Sequence, residues 1–481
     1  MLEKIIDLEK IARTLEPDAL QRSNWNNKVI DYSDNFLNHL HELNAFNEES
    51  EKGSGLLNFP IAESGKSLDT LLAVIKENVD YPALNAASAG HLAYIPGGGI
   101  FPSALGDYLA DITNNYAGVF FGGPGAVRME NMLVRWMCDL IGYPKTALGN
   151  LTSGGSIANL IAVVTARDVK GVKSALVPQS VIYLTEQIHH SIQKAIRIAG
   201  LGEAILRYVP VDDRYRMDVE KLREFIAEDK SNGLKPFLLV ASAGTTDVGA
   251  IDPLNDLADV AEAHNLWYHI DGAYGGFFAL TEEIKNAFKG IERSDSFTID
   301  PHKGLFLAYG TGAVLIKNVE ALEESHRYEA NYMQDAVGDL QEPSPANLSP
   351  ELTKHFRGLR MWLPLQLFGL EPFRAALSEK IWLCRYFYEE VQKLGFEVGP
   401  YPELSVAIYR YVPESGDANT FNAALVDAVR NDGRVFLSST TINGVFWIRI
   451  AVLCFRSHKD IIDTCLNILK EETRKLLESN T

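Results

Sequence analysis

Three short clusters in this 481-residue chain hold residue types that can do chemistry. The first is Ser296-Phe297-Thr298-Ile299-Asp300-Pro301-His302-Lys303-Gly304, where a lysine stands beside a histidine just past an apolar run. Partial burial or a neighbouring cation makes a lysine amine nucleophilic, whereas a plain turn lysine stays solvated. The second is His269-Ile270-Asp271-Gly272-Ala273-Tyr274-Gly275-Gly276, in which a carboxylate closes an apolar strand and meets a run of small residues. Such an aspartate can bind a metal, cap a turn or pair with a cationic ring nitrogen. The third is Thr152-Ser153-Gly154-Gly155-Ser156. Ile157, Leu160, Ile161 and Val164 follow it at helical spacing, so the Gly-Gly turn opens a helix. Free N–H groups and the partial positive charge of that end suit a phosphate or carboxylate, and glycine lets an anion come close to the backbone. A serine-capped turn is the plain alternative. The cluster is neither GxxxxGK[ST] nor GxGxxG, so a nucleotide is disfavoured.

The elements that must hold these clusters are legible as short apolar runs. Val181–Leu184, Phe237–Ala241, Leu266–Ile270, Phe297–Ile299 and Ala313–Ile316 are strand candidates, bounded by polar or glycine punctuation. Helical stretches between several of them predict a mainly parallel sheet covered on both faces. Upstream, Leu133, Trp136, Met137, Leu140 and Ile141 form one helical stripe. Past Gly369 comes a long amphipathic helix around Ile381–Leu394. Alternating segments Ser405–Arg410 and Phe446–Ile450 and a final helix from Lys459 complete a smaller α+β unit. Residues 1–83 are polar, helical in pattern and too poor in apolar residues to make a core alone. The organisation expected is therefore an N-terminal helical arm (1–83), a large domain (84–370) and a small C-terminal α+β domain (371–481).

Composition narrows the function classes. With 45 basic against 63 acidic residues the net charge is −18, so a phosphate-backbone binder is disfavoured and no nucleic-acid partner is expected. No apolar run approaches the roughly 18 residues that span a membrane, and the N-terminus lacks an apolar signal core. Cys138, Cys384, Cys454 and Cys465 have no metal-ligand spacing, so no metal is expected, and a reducing, cytoplasmic setting suits them.

Taken together the clusters match one cofactor. Pyridoxal 5'-phosphate needs a phosphate site, an acid at its pyridine nitrogen and a Schiff-base lysine. The chain offers them in that order, with Lys303 following Asp271 by 32 residues (303 − 271). The order and spacing resemble the pyridoxal-phosphate-dependent group II decarboxylases, the family of aromatic-L-amino-acid and glutamate decarboxylases, from about Leu84 to Arg456. His-Ile-Asp-Gly-Ala-Tyr-Gly-Gly and Asp-Pro-His-Lys carry the resemblance most specifically.

The resemblance implies roles position by position. Lys303 is the expected internal-aldimine lysine and Asp271 the partner of the pyridinium nitrogen. Ala273 would pack on one ring face, and Gly154, Gly155 and Ser156 would hold the phosphate. Thr246 would lie beside the cofactor, with Asp252 in the turn that follows, and His302 near the phosphate or the substrate carboxylate. Alignment of Ser191-Ile192-Gln193-Lys194-Ala195 places His189 on the other ring face, although a one-residue slip would exchange it with His190. Tyr332 takes the mobile-loop position of the catalytic tyrosine that protonates Cα; in relatives phenylalanine there accompanies aldehyde formation. Asp300 departs from the asparagine of animal members. Phe120 and Phe121 lie where relatives recognise the substrate side chain, and are otherwise core residues.

The implied fold is α/β, the fold type I (aspartate-aminotransferase-like) architecture with a mainly parallel seven-stranded sheet. A homodimer with shared active sites is implied with it. The implied activity is decarboxylation of a small-molecule L-amino-acid substrate, aromatic or otherwise, to the amine. Decarboxylation with oxidative deamination to an aldehyde, carbon–carbon lyase chemistry and a non-catalytic pyridoxal-phosphate-binding role are the alternatives.

Overall fold

The structure, a computed structural model, describes residues 1–49, 51–327 and 341–479. Its centre is a seven-stranded sheet in the spatial order Leu148–Thr152, Gly312–Ile316, Ser296–Ile299, Trp267–Asp271, Lys235–Ser242, Ser180–Leu184, Ile205–Tyr208. All the strands run one way except Gly312–Ile316, which is antiparallel to both neighbours. Helices on both faces bury the central strands completely, which is why these strands read as apolar runs without alternation.

All five strand candidates of the central sheet are present, and two further strands join them. Leu148–Thr152 contains Gly149 and Asn150, poor strand formers, yet every residue in it is buried. A Cβ at Gly149 would collide with the Val314 carbonyl oxygen, so glycine is needed for close pairing there. Ile205–Tyr208 is a short, half-exposed edge strand with a weak apolar signal.

A second, antiparallel sheet has the order Glu397–Val398, Val406–Arg410, Val445–Ala451, Ser438–Ile442. The expected alternation is absent from Val406–Tyr409, all four of which are buried. Both faces of this strand are covered: Val406 joins the large core, whereas Ala407 and Tyr409 join the core beneath helices Glu371–Lys393 and Lys459–Ser479. Leu92 also packs into that smaller core. At the N-terminus, helices Leu2–Ala12 and Ala19–Asn38 contain no buried residue. No helix among the described residues is long and apolar enough to cross a membrane.

Candidate active site

The parallel strands deliver their chemistry at one edge. Asp271 ends Trp267–Asp271, Ser242 ends Lys235–Ser242, and Lys303 follows Ser296–Ile299 by one helical turn, Pro301–Gly304. Thr152-Ser153-Gly154 connects Leu148–Thr152 to helix Gly155–Val169, and His189 caps helix His190–Ile198. Ligands of open α/β sheets bind outside this carboxyl edge, between diverging connections. A cavity of about 280 Å³ opens there, lined by Gly154, Gly155, Ser156, His189, Thr246, Asp271, Ala273, Asp300, His302 and Lys303 among others.

At one end lies the phosphate-type turn. Gly154 has φ 154° and ψ 175°, a backbone region essentially reserved for glycine. A Cβ at Gly155 would stand 3.1 Å from both Ala273 Cβ and Asp300 Oδ2, so the cradle is open only because no side chain fills it. The first-turn N–H groups of Gly155 and Ser156 have no intrahelical acceptor and face an incoming anion.

At the other end, Asp271 is 7% exposed and its carboxylate is held by two donors. Oδ1 accepts from the Ala273 N–H at 3.0 Å and Oδ2 from the Asn159 Nδ2–H at 3.0 Å. Between the two ends, Lys303 Nζ lies 3.1 Å from Asp300 Oδ2. The other Asp300 oxygen is buried and makes no hydrogen bond among the described residues. His302 donates from Nδ1 to the Thr311 carbonyl at 2.5 Å, which leaves Nε2 3.7 Å from Asp300 Oδ2. Arg360 braces the segment leading into strand Gly312–Ile316 by donating to Tyr309 O at 2.6 Å and Thr311 Oγ1 at 3.2 Å. Burial pushes the His302 imidazole below its ordinary value, favouring the neutral ring.

His189 lines the cavity, and burial is the chief cause of its lowered pKa; Asp271 opposes the shift while His190 and Lys303 add to it. His190 packs against it, ring centroids 4.1 Å apart, and is not among the lining residues. Thr246 lines the cavity, and its carbonyl accepts from Arg449 of the second sheet at 2.6 Å. Asp252 does not line it: the carboxylate is buried and takes the Met217 and Ser242 N–H groups. Phe120 is 3% exposed, beneath the Arg128 guanidinium, and Phe121 points to solvent; neither lines the cavity of this chain. Tyr332 lies outside the described residues. Asn159 and Ser191 also line the cavity and are absent from the roles expected from the sequence; Asn159 lies on the small-residue face of helix Gly155–Val169 with Ala158, Ala162 and Ala166, away from the stripe Ile157, Leu160, Ile161 and Val164, so the apolar periodicity gave no signal for it.

Residues 51–411 match the family model of the pyridoxal-dependent decarboxylase conserved domain. The chain belongs to the pyridoxal-dependent decarboxylase family. It is 32% identical over 396 residues to an aromatic-L-amino-acid decarboxylase of Bacillus atrophaeus, covering 81% of this chain and 82% of that one. A phenylacetaldehyde synthase of Petunia hybrida is 26% identical over 98% of this decarboxylase and 97% of its own length. The crystal structure of Oryza sativa TDC with PLP and tryptamine superposes with a TM-score of 0.91 at 22% identity, covering 96% of this chain and 99% of that one, and thus shares its fold. The protein is accordingly a pyridoxal-phosphate-dependent carboxy-lyase, an amino-acid decarboxylase. Its cavity fits the cofactor: a glycine cradle at a helix N-terminus, an amine beside it, and a firmly held carboxylate at the far end.

Proposed function

We propose that this decarboxylase acts on an L-amino acid with an aromatic side chain and releases the amine. The convergence of Lys303, Asp271, His189 and the Gly154–Ser156 turn on one cavity carries the reading of the site. The relation to the Bacillus atrophaeus enzyme supports the substrate class. When bound, pyridoxal 5'-phosphate supplies the electron sink for the pair left behind by departing carbon dioxide. The backbone N–H groups of Gly155 and Ser156, with His302 nearby, would bind its phosphate. Asp271, fixed by Ala273 and Asn159, would hold a proton on the pyridine nitrogen. Ala273, His189 and Thr246, which line the cavity, would hold the ring, and Lys303 Nζ would be its covalent attachment point. Tyr332 delivers the proton to Cα, which makes the amine rather than the aldehyde.

The organisation proposed with this is the arm (1–83), large domain (84–370) and small domain (371–481), assembled as a homodimer in a cytoplasmic setting. The two N-terminal helices support the dimer, since among the described residues Leu8, Ile11, Leu20 and Trp25 on them stay largely exposed. Four buried, unpaired cysteines suit a reducing compartment.

The test is to incubate the holoenzyme in air with L-amino acids, including aromatic ones, diaminobutyrate and ornithine, and to identify products by mass. Borohydride fixation and peptide mapping accompany it. Amine from an aromatic acid and an adduct on Lys303 are expected. Aldehyde with peroxide, turnover confined to the diamino acids, or an adduct on another lysine overturns the corresponding assignment.

A further inference from the structure

A buried polar cluster is centred on Asn159, which is fully buried in helix Gly155–Val169. Its amide meets four partners on three elements, strands Trp267–Asp271 and Ser296–Ile299 and helix His190–Ile198. Nδ2 lies 3.0 Å from Asp271 Oδ2 and 2.9 Å from Ser191 Oγ; Oδ1 lies 2.7 Å from Thr298 Oγ1 and 3.1 Å from His269 Nε2. The Asp271 carboxylate already takes one N–H on its other oxygen and is an acceptor, so the NH₂ group must face it. The amide oxygen then accepts from the Thr298 hydroxyl and from His269 Nε2–H. Burial holds the His269 pKa near 4, so that ring is neutral and its Nδ1 accepts from Ser296 Oγ at 2.9 Å. Ser296 Oγ itself takes the Trp267 Nε1–H at 2.8 Å, so its own hydrogen is free for His269.

The same logic runs outward to the cavity. Ser191 Oγ accepts from Asn159, so its hydrogen is available to His189 Nδ1, 2.8 Å away. That nitrogen also faces the Ser191 backbone N–H at 3.3 Å. Two donors converge on it: a proton on Nδ1 would meet the fixed backbone N–H head-on and would oblige the hydroxyl to turn its own hydrogen away. Burial favours the neutral ring, whose single proton therefore sits on Nε2. No hydrogen bond from Nε2 to the protein is made among the described residues, and the ring lines the cavity close to Asp271, Lys303 and Asp300.

We infer that Asn159 and Ser191 are positioning residues that hold neutral His189 as its Nε2–H tautomer, so that the cavity meets a hydrogen-bond donor there and not a base. The catalytic consequence rests on the reading of this cavity as the reaction site; the position of the proton does not. Asp271 and His189 are thereby set by one amide: the carboxylate orients Asn159, Asn159 orients the Ser191 hydroxyl, and the hydroxyl selects the tautomer.

Nitrogen-15 spectra of histidine-labelled protein test this, recorded on the holoenzyme and on the cofactor-free form, with the His189 signals assigned by their loss in His189→Gln. Expected are an unprotonated Nδ1 and a protonated Nε2 in both forms; the reverse pattern in the wild type overturns the inference. In Ser191→Ala the ratio of Nε2–H to Nδ1–H rings should fall about fivefold, the worth of one net hydrogen bond, and Ser191→Thr should keep the wild-type ratio. An unchanged ratio in Ser191→Ala removes Ser191 from the role. Should Ser191→Ala not fold, the wild-type spectrum decides by itself. A borohydride adduct away from Lys303 would overturn the site assignment while leaving these spectra as they are, so the two failures are distinguishable.

Discussion

Replacing Asp271 by asparagine removes a charge from the cavity and also breaks the hydrogen-bond logic behind it. The asparagine oxygen can still accept from Ala273 N–H, but its NH₂ then faces the NH₂ of Asn159 across the 3.0 Å now spanned by a hydrogen bond. Asn159 cannot turn its oxygen round without giving up Thr298 and His269. One charge-assisted bond is lost, worth about 1.5–3 kcal/mol, and a buried donor is left unpaired, which costs about 1–3 kcal/mol more. The expected destabilisation is about 3–5 kcal/mol. Turnover should fall at least 10²-fold, because an electrostatic loss of about 3 kcal/mol at the ring nitrogen corresponds to that factor. The double variant Asp271→Asn/Asn159→Asp separates the two effects. The new carboxylate at 159 accepts from the amide at 271 and still accepts from Thr298 and His269, so stability should recover while turnover stays low. Chemical denaturation, cofactor absorbance and carbon dioxide release measure the three quantities. An Asp271→Asn enzyme within a few-fold of wild-type kcat would refute the role of Asp271, and a double variant no more stable than the single one would refute the hydrogen-bond account.

Lys354 and Glu130 form a buried pair 2.8 Å apart, with Lys354 also donating to Asn150 Oδ1 at 2.7 Å and Glu130 Oε1 accepting from the N–H groups of Arg357 and Gly358. Lys354→Met should destabilise by about 3–5 kcal/mol by stranding the carboxylate, and Lys354→Met/Glu130→Gln by less; equal losses in denaturant titrations would show the two residues to be uncoupled. Burial pushes His91 from 6.5 down to about 4. Its folded value is the depressed one, so its contribution is full above pH 6.5 and is lost as pH falls through about 4, roughly 3 kcal/mol in all. His91→Phe should flatten the pH dependence of the unfolding free energy between pH 6.5 and 4 by that amount, and identical slopes would contradict this. Tyr332→Phe should slow amine release and raise aldehyde, ammonia and peroxide in air but not under argon; an unchanged amine-to-aldehyde ratio in air means another group protonates Cα.

Much of the site was legible because its parts are local in the chain. A carboxylate at a strand end, a lysine one turn past the next strand and a Gly-Gly turn opening a helix are each written in a few consecutive residues, and the order of the three implied the cofactor. The central strands were legible because burial on both faces demands unbroken apolar runs. Leu148–Thr152 escaped notice because close pairing with Gly312–Ile316 overrides the poor propensity of Gly149 and Asn150. Val406–Tyr409 lost its alternation because the two cores press on opposite faces of one strand.

The sequence by itself determined which side chains could do the chemistry and the family they belong to. Tertiary structure alone decided how those side chains are aimed. Asn159 meets Asp271 from 112 residues away and Thr298 from 139, a meeting that no spacing rule encodes. Of two adjacent histidines, the one turned to the cavity is His189, and the structure places Asp300 against Lys303 and within the cradle. A motif specifies residue types over a few bonds, but a hydrogen bond has a length and a direction, and for distant residues both are fixed only when the sheet and its helices have packed.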